Sequence, residues 1–105
     1  MGERIPVAEL RRLSRDFFEQ VIAVLEERNA VRGDSYLDMT LPSFVGIIHD
    51  KVGRVRTAGR GDVSNPRVRA EIADSVTDLA GYAALLCIWF SELYAGRIPL
   101  ESTHE

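Results

Sequence analysis

Glu71, Asp74 and Asp78 are the residues whose types and spacing point most directly to chemistry. At about 100° per residue on an α-helix, the three fall within about 60° of one another and share a face. Like charges so placed repel by a few tenths of a kcal/mol per pair, which a solvated helix tolerates, and Glu71 near a helix start is favoured by the dipole. The face therefore serves equally as exposed acidic surface or as a cation site. Asp78 abuts an apolar run, one turn before Tyr82, and a carboxylate there needs a cation. Either an arginine or a divalent metal would serve. Mg²⁺ takes oxygen ligands of this kind when phosphates complete its shell, so Glu71, Asp74 and Asp78 form the expected metal group.

Asp50, Lys51 and Arg54 make a second polar group, with Asp50 and Arg54 one helical turn apart and able to pair. As a plain surface ion pair they contribute less than about 1 kcal/mol. Set beside the acidic face, Lys51 and Arg54 would bind phosphate while Asp50 joins the metal shell or orients an arginine. His49 borders this group without a patterned partner. Ser35 and Tyr36, in the loop before it, would reach a ligand or simply line a polar loop. The expected ligand-binding set is thus Tyr36, Asp50, Lys51, Arg54, Glu71, Asp74, Asp78 and Tyr82. No glycine-rich phosphate loop follows a strand, no cysteines pair for zinc, and no serine or cysteine nucleophile has an evident base. Catalytic residues are not assignable, and whether the chain is an enzyme stays open.

These residues must be held by helices. Leu10, Leu13, Phe17, Val21, Val24 and Leu25 recur at spacings of three and four between polar residues, predicting an amphipathic helix from about Pro6 to about Asn29. The stretch from Asn29 to Met39, carrying Gly33, Asp34 and Ser35, reads as a loop. Thr40 and Pro42 announce a second helix, striped with Phe44, Val45, Ile48, Val52 and Val55 and stopping near Thr57 or Ala58. Asn65 and Pro66 open a third with no breaker before Gly96 and Pro99 except Gly81, which costs about 1 kcal/mol against alanine.

On that third helix Ile72, Val76, Leu79, Ala83, Leu86, Phe90 and Leu93 form a near-heptad seam that Leu85, Ile88 and Trp89 widen most of the way round. Two helices with one apolar stripe each can hardly cover it, which predicts a homodimer or higher homo-oligomer with the third helix central. The expected fold is all-α: a three-helix chain completed into a helical bundle by oligomerisation. It comprises a single domain over 1–98 and a frayed C-terminal tail over 99–105.

The chain has 105 residues, 46% apolar and 28% charged, the composition of a folded globular protein. Its net charge of −3 gives no general attraction to nucleic acid, so no direct DNA binding is expected. Between Lys51 and Arg69, however, six cations (Lys51, Arg54, Arg56, Arg60, Arg67, Arg69) face only Asp62, enough to hold a small anion or to make a solvated loop. Cys87 lies in the most apolar run, where a thiol usually acts as a small hydrophobe. That run, Leu79 to Phe90, is too short for a membrane span of about 20 residues. No membrane association and a cytoplasmic location are expected.

Three segments in order, Gly33-Asp34-Ser35-Tyr36, Ile47-Ile48-His49-Asp50-Lys51-Val52-Gly53-Arg54 and Glu71-Ile72-Ala73-Asp74-Ser75-Val76-Thr77-Asp78-Leu79-Ala80-Gly81-Tyr82-Ala83, resemble the phage-associated Nucleotide modification associated domain 1 family. The resemblance spans roughly Asn29 to Phe90 and is sharpest over residues 78 to 82. It implies nucleotide metabolism or DNA-base modification, and the host-cell cytoplasm if the chain is phage-encoded. The helices are also similar to those of all-α nucleotide pyrophosphohydrolases of the MazG and dUTPase type. That similarity implies oligomers and Mg²⁺ held by carboxylates of two helices, here Glu71, Asp74 and Asp78 with Asp50 as a fourth. Those hydrolases carry a paired-glutamate motif on an earlier helix, whereas Glu26 and Glu27 here are adjacent and point in different directions. Two functions follow as expectations. One is binding of a nucleotide or nucleotide-derived phosphate ligand, with Mg²⁺-dependent hydrolysis of it if the chain is an enzyme. The other is an anti-defence sponge that sequesters a cyclic or ADP-ribose-derived immune signal intact.

Overall fold

A computed structural model describes residues 4–33 and 35–104. Among them the regular elements are all helical: α1 (Val7–Arg32), a 3-10 turn (Ser35–Asp38), α2 (Leu41–Gly59), α3 (Pro66–Tyr94) and a 3-10 turn (Leu100–Thr103). The all-α class expected from the sequence is thus present.

The predicted caps form. Thr40 accepts from the Ser43 N–H at 3.3 Å, and Asn65 accepts from the Arg67 N–H at 2.9 Å, each ahead of a proline in the first turn. α1 runs further than the sequence predicts, because nothing from Asn29 to Arg32 breaks a helix. It stops at Gly33, whose φ of 63° suits glycine and whose N–H bonds to the Asn29 carbonyl at 2.8 Å. Part of the predicted loop is therefore helix, and Ser35–Asp38 is a turn; Asp34 lies outside the described residues.

Phe44 of α2, Trp89 and Leu93 of α3, and Ile98 form the buried core, flanked by Tyr36, Leu37, Met39, Leu41 and Tyr82. Trp89 Nε1 donates to the Met39 carbonyl at 2.9 Å, so the largest core side chain also fixes the α1–α2 connection. The tail expected to fray instead makes a turn. Gly96, at φ 80°, reverses the chain after α3, Ile98 is buried at 4% exposure, and the 3-10 turn rests against α2. A lone isoleucine between Gly96 and Pro99 has no periodic partner, which is why the pattern does not reveal it.

α1 reaches α3 through its C-terminal half, where Val21 is buried and the Leu25 side chain passes beside Gly81. Gly81 is buried where α1 packs, and a Cβ there would meet only Leu25 Cδ2, at 3.4 Å, so a methyl group fits and a larger side chain does not. α3 is not covered all round: Val76, Ala83, Cys87, Ile88 and Tyr94 are exposed. Cys87 is therefore not the buried hydrophobe its neighbours suggest, because it lies away from the α2 and α1 contacts. Among the described residues α3 is the one helix long and apolar enough, by length and composition, to cross a membrane. The 12-residue apolar run understates this, since neutral residues such as Ser75 and Thr77 lengthen it.

Candidate functional site

Between α2 and α3, at the end next to the Arg60–Asn65 connection, lies a cleft of about 850 Å³. Its walls carry His49, Asp50, Arg54 and Thr57 from α2 and Glu71, Asp74, Ser75 and Asp78 from α3. The two polar groups singled out by spacing thus face one another. Asp50 and Arg54 pair across one turn at 3.4 Å, both largely exposed, which leaves the guanidinium free to turn toward an incoming anion. Glu71 and Asp74 are exposed on the opposite wall.

Asp78 closes the inner end of the cleft. Arg28 Nη2 of α1 donates to its Oδ1, and Lys51 Nζ of α2 lies 3.4 Å from its Oδ2, so one carboxylate joins all three helices. Burial works to raise the Asp78 carboxyl, but hydrogen bonding and charge from Arg28, and then from Lys51, outweigh it and hold the group below its ordinary value. Lys51 Nζ also stands 6.0 Å from the centroid of the Tyr82 ring.

The cation that Asp78 requires is therefore Arg28 together with Lys51. Lys51, expected to grip phosphate, is engaged inward instead, because at 15% exposure its ammonium needs a counter-charge. Among the described residues no three of histidine, cysteine, aspartate and glutamate are grouped to hold a metal ion, and with Asp78 committed, Glu71, Asp74 and Asp78 make no ready cage for Mg²⁺. Sequence reasoning missed Arg28, although a signal exists: Arg28 continues the Val21 and Leu25 stripe at spacings of seven and three, where another apolar residue belongs.

Tyr36 and Tyr82 do not line this cleft. They line a smaller recess of about 130 Å³ with Leu25, Arg28, Met39 and Leu85, on the far side of the Arg28–Asp78 pair. Arg56, Arg60, Arg67 and Arg69 are exposed, do not line the cleft and make no ion pair among the described residues. Asp62 accepts from the Ser64 N–H at 3.0 Å and its hydroxyl at 2.6 Å, which lowers its carboxyl from the ordinary value and makes the connection a defined turn. Compared with protein-family models, with curated proteins and with solved structures, the chain matches none.

Proposed function

We propose that this chain binds a nucleotide or nucleotide-derived phosphate ligand in the α2–α3 cleft, as one subunit of a homo-oligomer that completes the helical bundle. The observation that carries it is the meeting, in one cleft, of Arg54 and His49 on one wall with Glu71 and Asp74 on the other. The cleft's volume is within the range of small-molecule sites, about 300–1,000 Å³. Arg54 presents the planar fork that suits a phosphate, and Arg60 and Arg67, exposed next in sequence to the lining residues Gly61 and Val68, add positive charge that draws an anion in. Glu71 and Asp74 accept hydrogen bonds from ribose hydroxyls or exocyclic amines. Thr57 and Ser75 supply further hydroxyls.

Holding the ligand intact is favoured over hydrolysis by the state of Asp78, whose two oxygens are already taken by Arg28 and Lys51. No step is assigned to Mg²⁺, since Asp78 is held by Arg28 and Lys51 and no three acids among the described residues are grouped to hold a metal. The sequestered ligand would be a mono- or dinucleotide, with cyclic and ADP-ribose-derived signalling nucleotides in the set to be tried.

Titration calorimetry against such a panel, followed by denaturation of the complex and chromatography of what it releases, is the test. Binding that Arg54→Ala and Glu71→Gln each weaken about tenfold or more, with the ligand recovered unchanged, is the expected result. A new product would establish turnover in place of sequestration, and binding indifferent to both substitutions would remove the cleft from consideration.

A further inference from the structure

The recess that Tyr36 and Tyr82 line has no part in the α2–α3 cleft, since no residue lines both. It holds about 130 Å³, close to the roughly 150 Å³ of an apolar cavity that takes up benzene and below the about 300–1,000 Å³ of sites for larger ligands. A single ring fits it, and a nucleotide does not. Its walls stand before any ligand arrives. Leu25 comes from α1, Tyr36 and Met39 from the α1–α2 connection, and Tyr82 and Leu85 from α3, each half-buried. Trp89 Nε1 donates to the Met39 carbonyl at 2.9 Å and the Met39 N–H to the Tyr36 carbonyl at 3.2 Å, which ties the connection to the core. Two leucines, a methionine and two aromatic rings suit a flat apolar body.

Charge says what that body carries. Among the described residues Arg28 is the one charged side chain on the wall. It belongs to a junction of two cations, Arg28 and Lys51, with one carboxylate, Asp78, so the junction keeps a net positive charge. Asp78 lines the cleft and Arg28 the recess, so the recess meets the positive side. Arg28 donates from Nη2 to Asp78 and makes no other hydrogen bond among the described residues, which leaves donors of its fork for a planar anion. We propose that the recess is a second binding site, one for a small aromatic carboxylate. The ring lies among Leu25, Tyr36, Met39, Tyr82 and Leu85, and the carboxylate pairs with Arg28. The site stands apart from the nucleotide reading, and either can fail without the other.

Two-dimensional NMR of the full chain, labelled at its amides and at its leucine and methionine methyls, reads the proposal with benzoate as the probe. Benzoate should shift the Leu25, Met39 and Leu85 methyls saturably, with Kd about 1 mM or tighter, and leave the Arg54 and Glu71 amides in place. Benzamide has the shape without the charge, and acetate the charge without the ring; each should bind about tenfold or more weakly than benzoate. Arg28→Met should bring benzoate down to the affinity of benzamide. The three probes on the wild-type chain decide the matter even should that variant misfold. No saturation by about 20 mM benzoate, equal affinity for benzamide, or shifts centred on the cleft would overturn the proposal, as would a folded R28M chain that binds benzoate undiminished. So would tighter binding of adenine than of benzoate, which would make the recess a pocket for a neutral base.

Discussion

Replacing Asp78 with asparagine removes the one charge that ties α1, α2 and α3 together. The shape of the side chain is kept, so the loss is electrostatic. A hydrogen bond to a charged group is worth about 1.5–3 kcal/mol, and removing one partner of a buried pair costs more, about 3–5 kcal/mol. Neither value transfers whole. Arg28, at 40% exposure, turns out to water and recovers much of its solvation, whereas Lys51, at 15%, stays against Tyr82 without a counter-charge. A net loss of about 2 kcal/mol follows, which in a domain of this size lowers Tm by about 10 °C.

The effect has a pH signature. The Asp78 carboxyl is held below its ordinary value when folded. The folded chain thus binds that proton less readily than the unfolded one, whose carboxyl titrates near pH 3.9. The stabilisation is complete above that pH and lost as pH falls through the lower folded value. Urea unfolding followed by far-UV ellipticity, at one protein concentration so that association is constant, should show wild type and D78N separated by about 2 kcal/mol at pH 7 and converging below pH 4. Titrations common to both chains cancel in the difference. A gap under about 0.5 kcal/mol at pH 7, or one that does not shrink in acid, would refute the linkage through Arg28 and Lys51.

Gly81→Ala should stabilise by up to about 1 kcal/mol, since the new methyl meets only the flexible end of Leu25 at 3.4 Å, while Gly81→Leu should push α1 off α3; urea midpoints read the first, and protease sensitivity of α1 the second. Trp89→Phe loses the bond to the Met39 carbonyl and part of the core, and should cost about 2–3 kcal/mol in the same unfolding assay. Thr40→Ala removes the α2 cap and should cost about 1 kcal/mol, with Thr40→Ser restoring most of it. Cys87 should react with a thiol reagent in the native protein at close to the rate of the urea-unfolded chain, because it is exposed.

Why the sequence disclosed some of this and not the rest comes down to the range of the interactions involved. Thr40-Leu41-Pro42 and Asn65-Pro66 act within one turn, so the starts of α2 and α3 are readable from neighbours alone. The cleft walls are readable for the same reason: helical spacing puts Asp50 with Arg54, and Glu71 with Asp74, whatever surrounds them. What spacing cannot say is which distant charge answers a given one. Arg28 and Asp78 are fifty positions apart, and only the approach of α1 at Gly81 brings them together. Read along α3 alone, Asp78 belongs with Glu71 and Asp74 as a third acid for a cation; read across the packed helices, it is a junction between them. Tyr82 changes in the same way, from a neighbour of the acidic face to a wall of the recess behind it, because the Arg28–Asp78 pair stands between. Gly81 shows the local and the distant at odds: its propensity argues against a helix there, yet it sits where α1 packs on α3, with room for a methyl group and little more. A substitution that separates α1 from α3 should therefore release Asp78 from Arg28 and leave it with Lys51 of α2, so Gly81→Leu with Arg28→Met and Lys51→Met is the chain in which the acidic face would become available to a divalent cation. Calorimetric titration of Mg²⁺ into that variant and into the wild type decides it. Tighter binding in the variant is expected, and equal affinity would mean that the pairing of Asp78 is not what withholds the face from a metal.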